Sequence, residues 1–220
     1  NWTDCGIIHV AGKNEGKGPA KWASNSWAPA VCWKNIDGKD KFFLYFADSG
    51  NGIGVLTADS PTGPFTDPLG HALISRSTPN TKGVHWLFDP AVFVDDDGKG
   101  YIYYGGGVQD DIAHPKSARC AALGEDMISL SSTPVEIDAP FLFEDSGINK
   151  IKGKYIYSYC TNWSDRTGID DPAMNPIAVI AYMSSDNPLG PFSYQGYTLE
   201  NPGKYFGPWG NNHHWMFEFK

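Results

Sequence analysis

Residues 88–106 read FDPAVFVDDDGKGYIYYGG. A short apolar run, Pro90 to Val94, meets a polar turn containing Gly98 and then the aromatic run Tyr101-Ile102-Tyr103-Tyr104. The pattern predicts two antiparallel strands joined by a hairpin, with Asp95, Asp96 and Asp97 in the turn. Three aspartates in a row invite a calcium reading, but the remaining ligand spacing of an EF-hand loop is missing, so they read as turn residues. The phrase recurs as WAPAVCWKNIDGKDKFFLYF from Trp27 and FEDSGINKIKGKYIYSYC from Phe143, and NHHWMFEFK opens another copy at Asn212. A second phrase ends in Gly-Pro-Phe at 63–65 and 190–192, each time after a strand-like stretch. It reads as a turn leading into an outer strand.

Helical periodicity is nearly absent, and short strands with turn signals dominate. Repeats of about 40–50 residues or more, each worth roughly four strands, read as propeller blades. The expected fold is all-β, a five-bladed β-propeller incomplete at both ends. Residues 1–10 close a first blade, 27–80, 88–137 and 143–200 form the next three, and 212–220 open the last. The chain is thus expected to be a piece of a longer protein. The composition agrees: aromatic residues are 14% and charged residues 19% of 220, with 25 glycines and 16 prolines. A formal charge of −8 without a basic run argues against nucleic acid or an anionic membrane as partner. No apolar stretch approaches the ~18 residues of a membrane span. Cys5, Cys32, Cys120 and Cys160 are scattered without a C-x-x-C pair, so free buried thiols are expected and one or two disulfides remain open.

Aligning the phrases brings Ala28, Asp89, Glu144 and His213 to one equivalent position, at separations of 61, 55 and 69 residues. In a propeller the innermost strands line a central channel, so residues at equivalent starts converge on one cavity. Two carboxyl groups across a cavity are the minimal equipment for glycoside hydrolysis. A glutamic acid holds its proton to higher pH than an aspartic acid, which makes Glu144 the general-acid candidate and Asp89 its neighbour. Of the six glutamates, Glu15, Glu125 and Glu200 lie in loops or turns, while Glu136 and Glu218 sit on strand segments without a repeat equivalent. Each candidate also has a plain structural reading: Asp89 as a turn residue before Pro90, Glu144 as part of a polar EDSG turn, His213 as a core histidine. Trp27, Ala28, Trp86, Phe88 and Asn212 are the candidates to line a sugar site, with Trp163, Trp209 and Trp215 as further rings that could stack on sugar. The sequons at Asn1 and Asn162 are too short a signal to use.

These motifs resemble glycoside hydrolase family 43, five-bladed propeller enzymes that cleave arabinose and xylose linkages in hemicellulose. The resemblance runs over essentially the whole chain. It implies that Glu144 is the general acid, that Asp89 tunes the acid and orients substrate, and that His213 faces the axial cavity, where it helps hold a structural Ca2+. No organic cofactor is implied. The family's general base, an aspartate on the first strand of the first blade, is expected upstream of residue 1, and Asp4 does not replace it. The resemblance implies an inverting mechanism on arabinoxylan or on arabino- and xylo-oligosaccharides, and a secreted or cell-surface enzyme, or an intracellular one if it acts on oligosaccharides. A non-catalytic carbohydrate-binding propeller is the alternative. A fructan hydrolase is disfavoured because Asp145, not Cys, follows Glu144.

Overall fold

The computed structural model describes residues 3–14, 16–107 and 110–217. Asn1 of the first sequon, Glu15, Glu218 and the end of the expected fifth-blade strand lie outside them. Three antiparallel sheets are built from strands in chain order. The first holds β1 (Trp27–Ile36), β2 (Lys39–Ala47) and β3 (Ile53–Ala58). The second holds β4 (Ala91–Val94), β5 (Gly100–Tyr104), β6 (Ala118–Ala122) and β7 (Val135–Ile137). The third holds β8 (Leu142–Ile151), β9 (Lys154–Thr161), β10 (Ile180–Ser185) and β11 (Ser193–Leu199), and one helical turn, α1 (Gly203–Phe206), follows. The inner strands lie side by side, β1 against β4 and β4 against β8. The sheets do not close into a ring, which makes this an incomplete propeller.

Period-two alternation explains how the sheets pack. On β2, Phe43 and Tyr45 enter the core shared with the second sheet, while Leu44 and Phe46 face a cluster with Val10, Ala20 and Ala23. On β5, Ile102 and Tyr104 join the first core, and Tyr101 and Tyr103 join the core shared with the third sheet. On β9, Tyr155, Tyr157 and Tyr159 enter that second core. Each fully buried ring contributes about 1.5–3 kcal/mol as an upper figure. Several of the phenols also find carbonyls across the layers. Tyr45 donates to Met127 O at 2.6 Å and Tyr103 to Pro188 O at 2.6 Å, so neighbouring sheets are tied by hydrogen bonds as well as by contact.

The three aspartates form the expected hairpin turn: Asp95 N–H donates to Lys99 O at 2.9 Å. Asp95 also pairs with Lys150 at 2.6 Å and accepts from the Tyr155 hydroxyl, which fastens this turn to the third sheet. The two Gly-Pro-Phe turns differ in outcome. The second leads into the full strand β11, whereas after the first the chain pairs back to β3 only at isolated bridges, Thr66 with Thr57 and Ile74 with Ile53. Residues 212–217, expected to start a strand, have no regular structure. They lie beside β8 through side chains instead, with Asn149 Nδ2 donating to Met216 O at 2.9 Å. All four cysteines are free; Cys120 and Cys160 are buried, but Cys5 is exposed and Cys32 intermediate. Asn162 is buried and donates from Nδ2 to Ile112 O at 2.9 Å, so the second sequon is part of the packing. Among the described residues, no helix is long and apolar enough to cross a membrane.

Candidate active site

Two adjoining cavities of about 530 and 580 Å³ open where the inner strands begin, and both are lined by Ala28, Asp89 and His213. The larger one is walled by Trp27, Trp86, Phe88 and Phe143, with Glu144 and Asn211 completing it. Asp145, Ser146, His214 and Trp215 line the other. Trp86 is held in place from beneath. Arg76 donates to the carbonyls of His85 at 2.7 Å and Gly50 at 3.2 Å, and a Cβ at Gly50 would meet Trp86 at 2.9 Å. Phe143 is fixed in the same way, since Gly107 N–H donates to its carbonyl at 2.6 Å.

The backbone places the repeats differently from the sequence alignment. Ala28 and Asp89 have φ of 42° and 48°, and the matching left-handed residue in the third sheet is Asp145, at 67°. Two residues later, Ala30 pairs with Tyr45, Ala91 with Tyr103 and Gly147 with Ser158. In backbone terms Asp145 is therefore the equivalent of Asp89, and Glu144 stands where the other sheets carry Trp27 and Phe88. This corrects the alignment by one place. It also explains the site: a carboxyl group occupies a position that is elsewhere an aromatic ring facing the larger cavity. Left-handed backbone costs on the order of 1–3 kcal/mol for a non-glycine residue, least for Asp and Asn, so Asp145 must be held.

Asp89, Glu144 and His213 converge as expected, each offering an atom within 4.8 Å of the others. Asp89 is 5% exposed and burial pushes its pKa up to about 6, although its Oδ2 accepts the Asp145 N–H at 2.8 Å. Glu144 is also 5% exposed, and its Oε1 accepts no hydrogen bond from the described residues. His213 Nε2 lies 3.5 Å from that oxygen, and Nδ1 lies 3.5 Å from Asp145 Oδ1. Glu144 foremost, with Asp145 and Asp89, moves the His213 pKa up to about 9 against the opposing effect of burial. Asp145 itself is raised by burial, with His214 pulling the other way.

Trp27, Ala28, Trp86 and Phe88 line the larger cavity as expected. Asn212 does not. It is buried with Nδ2 donating to Ala178 O at 3.0 Å, and its neighbour Asn211 lines the cavity instead. Trp215 lines the smaller cavity, while Trp163 and Trp209 pack edge to face at 6.2 Å and line neither. Asp4 is exposed and accepts the Gly6 N–H, a local turn contact. For a metal ion, two carboxylate oxygens and one imidazole nitrogen are at hand, against the roughly six to eight oxygens that calcium takes. These three groups supply at most three of calcium's ligands, so water would have to complete the shell, and His213 would have to give up its proton to bind a metal directly.

The sequence profile of Glycosyl hydrolases family 43 matches residues 1–157. The chain belongs to that family. This family 43 chain is 60% identical over 228 residues to an arabinoxylan arabinofuranohydrolase of Paenibacillus polymyxa, a match covering 100% of the chain and 35% of that relative. It superposes with a TM-score of 0.94 at 57% identity on a family 43 arabinoxylan arabinofuranohydrolase of Bacillus subtilis solved with cellotetraose, covering 100% of the chain and 46% of that structure. A β-xylosidase/α-arabinofuranosidase from a compost metagenome, solved with xylotriose in a calcium-free form, matches at 30% identity and TM-score 0.63 over 89% of the chain and 62% of that structure. The family 43 chain thus spans about a third of the length of its Paenibacillus relative.

Proposed function

We propose that the intact protein removes arabinofuranose side chains from arabinoxylan by a single displacement with inversion. The observation that carries this is the Glu144 carboxyl group, buried at the wall of an aromatic cavity with Asp89 beside it. Aromatic faces suit the apolar faces of sugar rings. Glu144 protonates the departing glycosidic oxygen, and Asp89 beside it helps orient the acid and the substrate. Among the described residues, Asp89 and Glu144 are the carboxylates lining this cavity. Their atoms lie within 4.8 Å, closer than the ~6.5–9.5 Å that separates acid and base in inverting enzymes. Asp89 is therefore not the base, which we place on an inner strand preceding β1.

The short spacing also favours a second reading, in which Asp89 is the nucleophile of a retaining enzyme, since ~5–5.5 Å is the retaining distance. The anomer released first decides. With full-length protein and arabinoxylan oligosaccharides followed by NMR, inversion at the anomeric carbon is expected; retention would move Asp89 to the nucleophile role. Tight oligosaccharide binding without turnover would instead favour a binding module.

His213 would help hold a calcium ion at the axis, directly or through water, leaving the Glu144 carboxyl group free to carry its proton. Calorimetric titration of chelator-treated full-length protein should then give one site per chain, lost in His213→Ala. No heat of binding in the parent protein would remove calcium from the scheme.

A further inference from the structure

We propose that Asp145 and His214 are positioning residues that set the aim of Glu144. The proposal rests on Glu144 being the general acid and assigns the group that holds it. Between Leu142 and Gly147 the β8–β9 register slips twice, once on each side of Glu144. Glu144 itself pairs with Cys160, but the ladder is interrupted on both sides of it. The stretch is held further by Asp145, the next residue, whose left-handed backbone is secured through its N–H and its carboxylate.

Its N–H donates to Asp89 Oδ2 at 2.8 Å. Its Oδ2 accepts from the His214 backbone N–H at 2.9 Å and from the imidazole Nδ1–H at 2.5 Å. His214 is held from its far side, with Nε2 2.7 Å from the Ser158 hydroxyl on β9. With Nδ1 facing the carboxylate, Nε2 is left to the Ser158 hydroxyl. Ser158 is 1% exposed, and the His214 and Asp145 side chains are 7% and 9% exposed, so water competes little.

Gly147 makes room for this chain of contacts. A Cβ there would sit 2.6 Å from Ser158 Oγ and 3.1 Å from His214 Nε2. The series Asp–His–Ser looks like a nucleophile relay, but its hydroxyl is buried and committed to His214. It is a brace running from a regular strand to the residue that follows the acid. The adjacent histidines divide the work, His213 facing the Glu144 carboxyl group and His214 the Asp145 carboxylate.

A misplacement of about 1 Å can cost on the order of 10²-fold in rate. The loss should fall on the proton-transfer step alone. In the full-length enzyme, Asp145→Ala is expected to lower kcat on arabinoxylan oligosaccharides by about 10²-fold, with KM changed less than about threefold. On 4-nitrophenyl arabinofuranoside, whose leaving group needs little protonation, the loss should stay below about fivefold. Asp145→Asn, which tolerates the left-handed backbone and keeps an acceptor for the His214 N–H, should recover most of the rate. If Asp145→Ala does not fold, His214→Phe keeps the ring and removes both nitrogens, and the same selective loss of about tenfold is expected. Equal losses on the two substrates, tracking a lower Tm, would overturn the proposal and leave Asp145 a stability residue. Glu144→Gln is measured alongside: if it discriminates between the substrates while the Asp145 and His214 variants do not, only the positioning role falls. If Glu144→Gln itself shows no discrimination, the acid assignment and the positioning role fall together.

Discussion

Glu144→Gln in the full-length enzyme should reduce kcat on arabinoxylan oligosaccharides by about 10²–10⁴-fold, the usual share of a positioned general acid. The substitution is isosteric, so the buried site next to Asp89 keeps its shape, but the amide has no acidic proton to give the departing oxygen. A sugar alkoxide is a poor leaving group and depends on that proton; 4-nitrophenolate does not. Loss on 4-nitrophenyl arabinofuranoside should therefore stay within about tenfold. Steady-state kinetics on both substrates checks this, with thermal melting as the control for folding. If both substrates were turned over at parent rates, Glu144 would return to the status of a turn residue.

Asp89→Asn should separate stability from activity. Burial raises the Asp89 pKa from 3.8 to about 6. The folded state thus binds this proton more tightly than the unfolded chain does, and stability from this group falls as pH rises. The effect is absent below about pH 4, develops between about 4 and 6, and is complete above 6. A shift of this size corresponds to about 3 kcal/mol as an upper figure at 1.36 kcal/mol per unit. Asn is neutral throughout and still accepts the Asp145 N–H, so the variant should melt higher than the parent at pH 7 and equal to it at pH 4.

Activity should move the other way. Asp89 shares the cavity wall with Glu144 and accepts the Asp145 N–H. Replacing it should lower the rate at pH 7 by about 10- to 100-fold and change the pH–rate profile where Asp89 itself titrates, near pH 6. Urea titrations at pH 4 and 7 and a pH–rate profile test both halves. A profile superimposable on the parent's would make Asp89 structural.

Much of the layout was legible because period-two alternation survives in each copy: Phe43-Leu44-Tyr45-Phe46 and Tyr101-Ile102-Tyr103-Tyr104 divide between two cores as their order implies, and Tyr155 and Tyr157 share one core on either side of the less buried Ile156. The convergence of Asp89, Glu144 and His213 was legible from repeats that begin at one end of an inner strand. The one-place offset at Glu144 was not. It arises because matching Phe143-Glu144 to Phe88-Asp89 is natural by residue type, whereas the left-handed residue that precedes the regular pairing falls one place later, at Asp145. Asn212 was misread for a related reason, since outside a regular strand nothing in the sequence says which of two adjacent asparagines faces the cavity. The Asp145–His214–Ser158 brace left one faint mark. Ser158 breaks the run of large residues in YIYSYC at a 1% exposed position, and a small polar residue there implies a polar partner.

The exchange of a ring for a carboxyl group at Glu144 bears on how repeated modules specialise. Copies that arise by duplication begin with the same occupant at each corresponding place, here a ring aimed at the cavity. Exchanging that ring for an acid changes the chemistry of a single copy while its neighbours keep the wall intact. The acid then inherits a frame shaped to hold something bulkier, and a local fastening must replace the packing that the ring provided. Asymmetry in an otherwise repeating molecule is therefore a guide to where chemistry resides: the copy that departs from its siblings in residue type, at a backbone position they all share, is the one to inspect first.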